Sequence, residues 1–253
     1  MIYSHYSEYM AIAMSTKRPS FDEGEREFLE PYLASNEEPF LELACGYGRL
    51  VLPIMEMGYE IAGTDASQQM LARCRELAGE RGLEPELHEQ FMQRLDLDRQ
   101  FGLIFIDDCT FTLVIEDDDA HELFARVWNH LKPGGTFLFD FFTLNPDRPA
   151  SRNEVWTGWT KAPDGSLFVG RKISSYDPQT GVTDRLQIHD RYVDGTFAGS
   201  QAYEDPNRDW DPDLVVAWLE EHGFVDVRLG GYHTDRPPRP AADMISVRCR
   251  KPR

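Results

Sequence analysis

The stretch Phe40-Leu41-Glu42-Leu43-Ala44-Cys45-Gly46-Tyr47-Gly48-Arg49-Leu50 constrains the fold more than any other part of the chain. A short apolar run meets an acidic residue, small residues then alternate, and apolar residues resume. That order predicts a strand, a tight glycine turn and a helix. Small residues let a backbone pass close to a ligand, and glycine tolerates the positive φ of such a turn. A helix opening there would aim its free N–H groups at the turn. The dinucleotide fingerprint G-x-G-x-x-G/A fails here, because its last position falls on Val51 from Gly46 and on Arg49 from Ala44.

The rest of the chain repeats the alternation. Helices are expected over 3–14, with Tyr3, Tyr6, Tyr9, Met10 and Met14, and over 22–34, with Phe28, Leu29, Tyr32 and Leu33 on one stripe. Strand 40–44 leads into helix 48–57, and strand 59–64 closes on Asp65. Ser67 caps a helix carrying Met70, Leu71, Cys74, Leu77 and Ala78 at helical spacing. Strands follow near 86–91 and over Phe101–Ile106, then a helix from the acidic run at Glu116 through Leu131. Lys132-Pro133-Gly134-Gly135 reads as a turn before a strand over Thr136–Phe142.

From about 150 to 205 the period changes. Aromatic and β-branched residues alternate with polar ones between turn signals at Pro163-Asp164-Gly165 and Asp194-Gly195, which predicts three or four antiparallel strands. Asp211-Pro212-Asp213 then starts a helix that Gly223 stops, and strands 224–230 and 243–250 finish the chain around the proline-rich loop 236–240. Near-continuous apolar strands alternating with helices imply a parallel sheet covered on both faces, whose ligands sit at the carboxyl ends of the strands. Glu42, Asp65, Asp107 and Asp108 all fall at such ends.

Glu42-x-Ala44-x-Gly46-x-Gly48 resembles motif I of the class I S-adenosylmethionine-dependent methyltransferases, with Ala44 in the first glycine position, and the span 40–142 is similar to their core. The resemblance implies an α/β fold: a Rossmann-like seven-stranded, mostly parallel sheet with helices on both faces and an inserted antiparallel β cap. Residues 1–149 would hold the N-terminal helices and core, 150–205 the cap, and 206–253 the remainder of the core. It also implies S-adenosylmethionine as cofactor. Asp65 would accept both ribose hydroxyls, and Glu42, near the turn, would attract the cationic end. Ala44, Gly46, Gly48, Ala66 and Met70 would line the cofactor site. The family's adenine-reading Asp is replaced by the pair Phe91-Met92, so ring packing on Phe91 and backbone contacts at Met92 or Gln93 are expected instead. Tyr9 matches the aromatic segment that folds over the cofactor in small-molecule members. Asp107 would lie at the edge between cofactor and acceptor, with Asp108 the candidate base. Trp156, Trp159 and Tyr192 would wall the acceptor pocket.

Charge narrows the partners. There are 26 basic and 44 acidic residues, a net charge of −18, which opposes binding to phosphate backbones or an anionic membrane surface. A small-molecule acceptor is therefore expected, with no nucleic-acid or membrane partner. The four cysteines, Cys45, Cys74, Cys109 and Cys249, show no metal or redox spacing, and the N-terminus lacks the signature of a signal peptide, so a cytoplasmic protein without a bound metal is expected. His189 and His233 read as surface or structural histidines. The expected activity is methyl transfer to nitrogen or oxygen of a small molecule. Cofactor binding without catalysis is the alternative, which binding without transfer to any acceptor would favour.

Overall fold

A computed structural model describes residues 8–18, 20–239 and 243–253. Two sheets organise it. In the first, β1 (Phe40–Leu43), β2 (Ile61–Asp65), β3 (Glu86–Glu89), β4 (Phe101–Ile106) and β5 (Leu131–Phe142) are parallel. The strands β11 (Val225–Gly231) and β12 (Met244–Arg250) complete it, β12 running antiparallel to β5, so the seven-stranded order is β11-β12-β5-β4-β1-β2-β3. The chain moves outward one way from β1 to β3 and the other way from β4 to β5. The crevice between β1 and β4 is thus the switch point at which such sheets bind ligands.

The apolar runs are explained by burial on both faces. Leu41, Leu43, Ile104 and Ile106 pack with Phe137 and Phe139 beneath α5 (Asp117–His130) and α6 (Pro212–Glu221). Phe40, Leu103 and Phe105 point the other way, toward α2 (Glu23–Ser35), α3 (Val51–Glu56) and Leu71 of α4 (Gln68–Arg81). Each such side chain contributes about 1.5–3 kcal/mol by leaving water.

The second sheet holds β6 (Ser151–Lys161), β7 (Leu167–Asp177), β8 (Val182–Val193), β9 (Thr196–Glu204) and the short β10 (Asn207–Arg208), all antiparallel. It runs past residue 205 because Asn207 and Arg208 pair with Thr183 and Val182.

Three further expectations shift. The helix expected over 48–57 begins only at Val51, because Ala44, Gly46 and Gly48 all take positive φ and spread the turn over residues 44–50. Lys132–Gly135 is not a separate turn. It continues β5 as an irregularity where the pairing with β4 shifts register between Phe101 and Leu103. The N-terminal helix α1 spans Glu8–Lys17, and Tyr3 and Tyr6 lie outside the described residues. It shows no single apolar stripe because it packs on two partners. Ala11 and Met14 face Tyr47 and Met70 of the core, while Tyr9 and Ala13 face Phe168 of the inserted sheet.

Candidate functional site

The carboxyl ends of β1, β2 and β4 meet the inserted sheet around a cavity of about 290 Å³. Ala44 and Gly46 of the glycine turn line one side, with Asp65 and Ala66 beside them. At Gly46, with φ +56°, an added Cβ would meet nothing within 4 Å, so the turn presents open space to the cavity. Gly48 has a different reason to be glycine. A Cβ there would lie 2.4 Å from Cys74 Sγ of α4, so Gly48 permits close packing of helix on turn and does not line the cavity. That corrects its expected place in the cofactor site.

Asp65 closes the turn. Its Oδ2 accepts the N–H of Gly46 and its Oδ1 that of Ser67, both at 2.8 Å. Burial pushes its carboxyl up to about 6, against the pull of the two N–H groups. Each oxygen keeps a further lone pair for a ligand hydroxyl. Glu42 also lines the cavity, and its Oε2 accepts the N–H of Val51 at 3.1 Å, fastening the start of α3. Burial, helped by the charge of Asp107, raises its carboxyl well above the usual range.

Phe91, Met92 and Met70 line the cavity beside Gln90 and Gln93, the last of them buried. From α1, Met10 and Met14 reach the cavity, whereas Tyr9 does not. The Tyr9 ring packs edge-on against Phe168 at 5.5 Å, and its backbone N–H donates to Gln201, so it joins α1 to the inserted sheet. The aromatic cover expected from Tyr9 is thus replaced by two methionines of the same helix.

A charge cluster that the sequence reading missed lies at the end of β4. Buried Arg49 donates to Glu25 Oε2 at 2.6 Å and to Asp107 Oδ2. The other Asp107 oxygen lies 2.9 Å from His233 Nε2. Burial would raise the Asp107 carboxyl, but the His233 hydrogen bond and the Arg49 charge outweigh it and hold it below the usual range. Burial would lower His233, but its hydrogen bond to Asp107 wins and raises it. His233, expected at the surface or as a structural residue, is therefore one end of a buried ion-pair chain. Ligand atoms of Glu25, Asp107 and His233 come within 4.8 Å of one another, the spacing of a metal site, yet the Arg49 guanidinium already supplies the positive charge to both carboxylates. The sequence signals were slight: an arginine directly after the glycine turn, and an Asp22-x-x-Glu25 capping box whose glutamate serves twice.

Asp108 and Cys109 follow β4 with φ +59° and +55°, an uncommon pair for residues with side chains. The bend sends the Cys109 N–H to Asp140 Oδ2 at 2.8 Å and turns Asp108 to the cavity edge. There Asp108 accepts from Arg18 at 2.7 Å, and Arg18 also bridges to Glu25. The residue expected as a base thus fastens the segment after α1.

Across the cavity, the inserted sheet contributes Arg185, Gln187 and Asp205. The aromatic wall expected there is absent from the cavity lining among the described residues. Trp156 and Trp159 are 64% and 70% exposed, and Tyr192 packs on Phe197. The two tryptophans lie on β6, the outer strand of its sheet, and the strand over the cavity is β8.

Comparison with known proteins agrees with this geometry. Residues 40–135 match the sequence family described as a methyltransferase domain. A Geobacillus sp. (strain WCH70) protein bearing a methyltransferase name is 21% identical over 225 residues, covering 88% of each chain. The fold superimposes on an S-adenosylmethionine-dependent methyltransferase from Clostridium acetobutylicum with a TM-score of 0.79, at 18% identity over 98% of this chain and 99% of that one. A sugar N-methyltransferase from Streptoalloteichus sp. gives a TM-score of 0.68 at 16% identity, over 97% of this chain and 88% of that one. The open glycine turn, the acidic residue closing β2 and the seven-stranded order fit the same cofactor, and residues 40–135 form a methyltransferase domain with the fold of the S-adenosylmethionine-dependent enzymes.

Proposed function

We propose that the protein transfers a methyl group to a nitrogen of a small polar molecule held between the core sheet and the inserted sheet. One observation carries this reading: a single cavity is lined from one side by the glycine turn with Asp65 and from the other by Arg185, Gln187 and Asp205. An enclosure of that size suits a small acceptor better than a polymer. When bound, S-adenosylmethionine supplies an activated methyl on a sulfonium sulfur.

The chain's own residues bind and orient. Asp65 would accept the ribose hydroxyls while clamping Gly46. Glu42, Ala44, Gly46 and Ala66 would hold the amino-acid and ribose portions, and Met70, Phe91 and Met92 the adenine. The negative charge of Asp107, held by Arg49 and His233, faces the positive end. The cofactor would supply its methyl carbon to the lone pair of an acceptor nitrogen placed beside Arg185, Gln187 and Asp205, its sulfur would keep the electrons of the broken bond, and the nitrogen's proton would leave to solvent. Holding the two reactants in line supplies most of the acceleration.

Nitrogen is favoured over oxygen by the state of the carboxylates at the core-sheet edge of the cavity. A hydroxyl needs a base, whereas a neutral amine carries its lone pair already. Asp107 is tied to Arg49 and His233, Asp108 to Arg18, and Asp140 to the Cys109 N–H. The Streptoalloteichus neighbour is a sugar N-methyltransferase, which supports the same choice.

The test is turnover with S-adenosylmethionine across a panel of aminodeoxy sugars and amino alcohols, read by mass spectrometry. The expected result is S-adenosylhomocysteine together with an N-methylated product. Methylation confined to hydroxyls would overturn the nitrogen assignment.

A further inference from the structure

Asp205, between β9 and β10, is 1% exposed and lines the cavity opposite the glycine turn. Its position is fixed from several sides. The Asp205 backbone N–H donates to the Arg185 carbonyl at 3.0 Å, and Arg185 Nε donates back to the Asp205 carbonyl at 2.8 Å. Its Oδ2 accepts from Arg185 Nη2 at 2.9 Å and from Gln187 Nε2 at 2.7 Å. Its Oδ1 is buried and has no hydrogen-bond partner among the described residues.

A carboxylate oxygen removed from water and left without a donor bears its full desolvation cost, and buried polar atoms in folded proteins are nearly always satisfied. Here one oxygen is held by two donors and its twin is held by none. The pair of donors on β8 presets the carboxylate, so the spare oxygen is an oriented acceptor before any ligand arrives. Burial also raises the Asp205 carboxyl above its ordinary value, a pressure that a donor to Oδ1 relieves.

We propose that Asp205 Oδ1 receives an N–H or O–H of the methyl acceptor, so that the acceptor is a donor-bearing polar molecule of the amino-alcohol class, recognised by the inserted sheet. This rests on the reading of the reaction given above. Selectivity follows from the buried carboxylate. A molecule of the same shape lacking the donor leaves Oδ1 unpaired and is rejected, whereas an apolar pocket discriminates such analogues poorly. An amine that donates its N–H to Asp205 also keeps its lone pair on another side of the nitrogen, free for the methyl. Asp205 is thus an acceptor-binding residue.

The test uses full-length protein, S-adenosylmethionine and a panel of aminodeoxy sugars and amino alcohols, each paired with an analogue lacking one hydroxyl. In the wild type, removing the contacting hydroxyl should raise KM about tenfold or more. In Asp205→Asn the amide oxygen goes to Arg185, which only donates, and to Gln187 Nε2, and the NH2 then faces the acceptor. KM should rise about tenfold to a hundredfold, with kcat and the affinity for S-adenosylhomocysteine within about threefold of wild type. The variant should also lose the preference between paired analogues. Unchanged KM in a variant that still binds S-adenosylhomocysteine, or equal KM for every analogue pair in the wild type, overturns the role of Asp205 alone. No turnover of any amine while S-adenosylhomocysteine binds overturns the reading of the reaction. The paired analogues test the wild-type protein, so the inference stays exposed even if Asp205→Asn fails to fold.

Discussion

The Asp65 carboxylate accepts the backbone N–H of Gly46 at 2.8 Å, tying the end of β2 to the turn that follows β1. Its other oxygen takes the N–H of Ser67, at the start of α4. One side chain therefore joins three elements, and it does so at the wall of the cavity. Asp65 holds the turn and lines the cavity at once, which makes its substitutions informative.

Asp65→Ala should weaken S-adenosylhomocysteine binding by about 1–3 kcal/mol, the loss of a charged hydrogen-bond acceptor. Calorimetric titration measures it. An unchanged dissociation constant in a folded variant would remove Asp65 from the cofactor site.

The raised Asp65 carboxyl predicts a pH dependence. Hydroxyl donors favour the ionised form, so affinity for S-adenosylhomocysteine should be flat above about pH 7 and fall as the pH drops below about 6, where Asp65 protonates. Asp65→Asn should lose that dependence. For the free protein the sign is opposite. The raised carboxyl contributes stability below its unfolded value near 3.8, and that contribution is lost as the pH rises through about 6. A titration in which the variant and the wild type decline in parallel would assign the effect to another group.

Two glycines of the turn should separate binding from folding. Gly46→Val puts a branched side chain into open space beside the cavity at φ +56°, so binding of S-adenosylhomocysteine should vanish while most of the fold remains. Gly48→Ala forces a Cβ to within 2.4 Å of Cys74 Sγ, so stability should fall first, by about 1–3 kcal/mol or more. Circular dichroism melts paired with calorimetry distinguish the two. Normal binding by Gly46→Val would reduce the turn to a connector.

Arg49→Met should destabilise the protein by up to about 3–5 kcal/mol, because buried Glu25 and Asp107 lose their shared cation and keep only Arg18 and His233. Urea unfolding reads this directly. A loss under about 1 kcal/mol, the worth of an exposed pair, would show that the cluster is more hydrated than its burial indicates.

Trp156→Ala and Trp159→Ala should each leave kcat and KM for the acceptor within about twofold of wild type, since side chains this exposed and off the cavity contribute little to its wall. Replacing the whole insertion by a flexible linker is a harsher change, because Tyr9 and Ala13 of α1 rest on Phe168. A large loss of turnover from either single variant would return the tryptophans to the acceptor site.

The sequence alone determined the sheet and one wall of the site. Apolar runs buried on both faces leave a strand few alternatives, so β1, β2 and β4 were legible. The glycine spacing also marked one wall of the cavity, where Gly46 and Asp65 are joined by a hydrogen bond. What the tertiary structure decided was reach across distance in the chain. Arg49 meets Glu25 and Asp107, and Asp107 meets His233, only because α2, β4 and the loop after β11 converge at one sheet edge. Gly48 read as a ligand contact because spacing cannot show that Cys74 of α4 lies over it. Trp156 and Trp159 read as a pocket wall because alternation tells which residues share a face, while strand order tells which strand covers the cavity. β6 stands at the outside of its sheet, and β8 brings Arg185 and Gln187 against Asp205. Local pattern encodes burial along a strand, but only packing fixes what lies on the other side of a cavity.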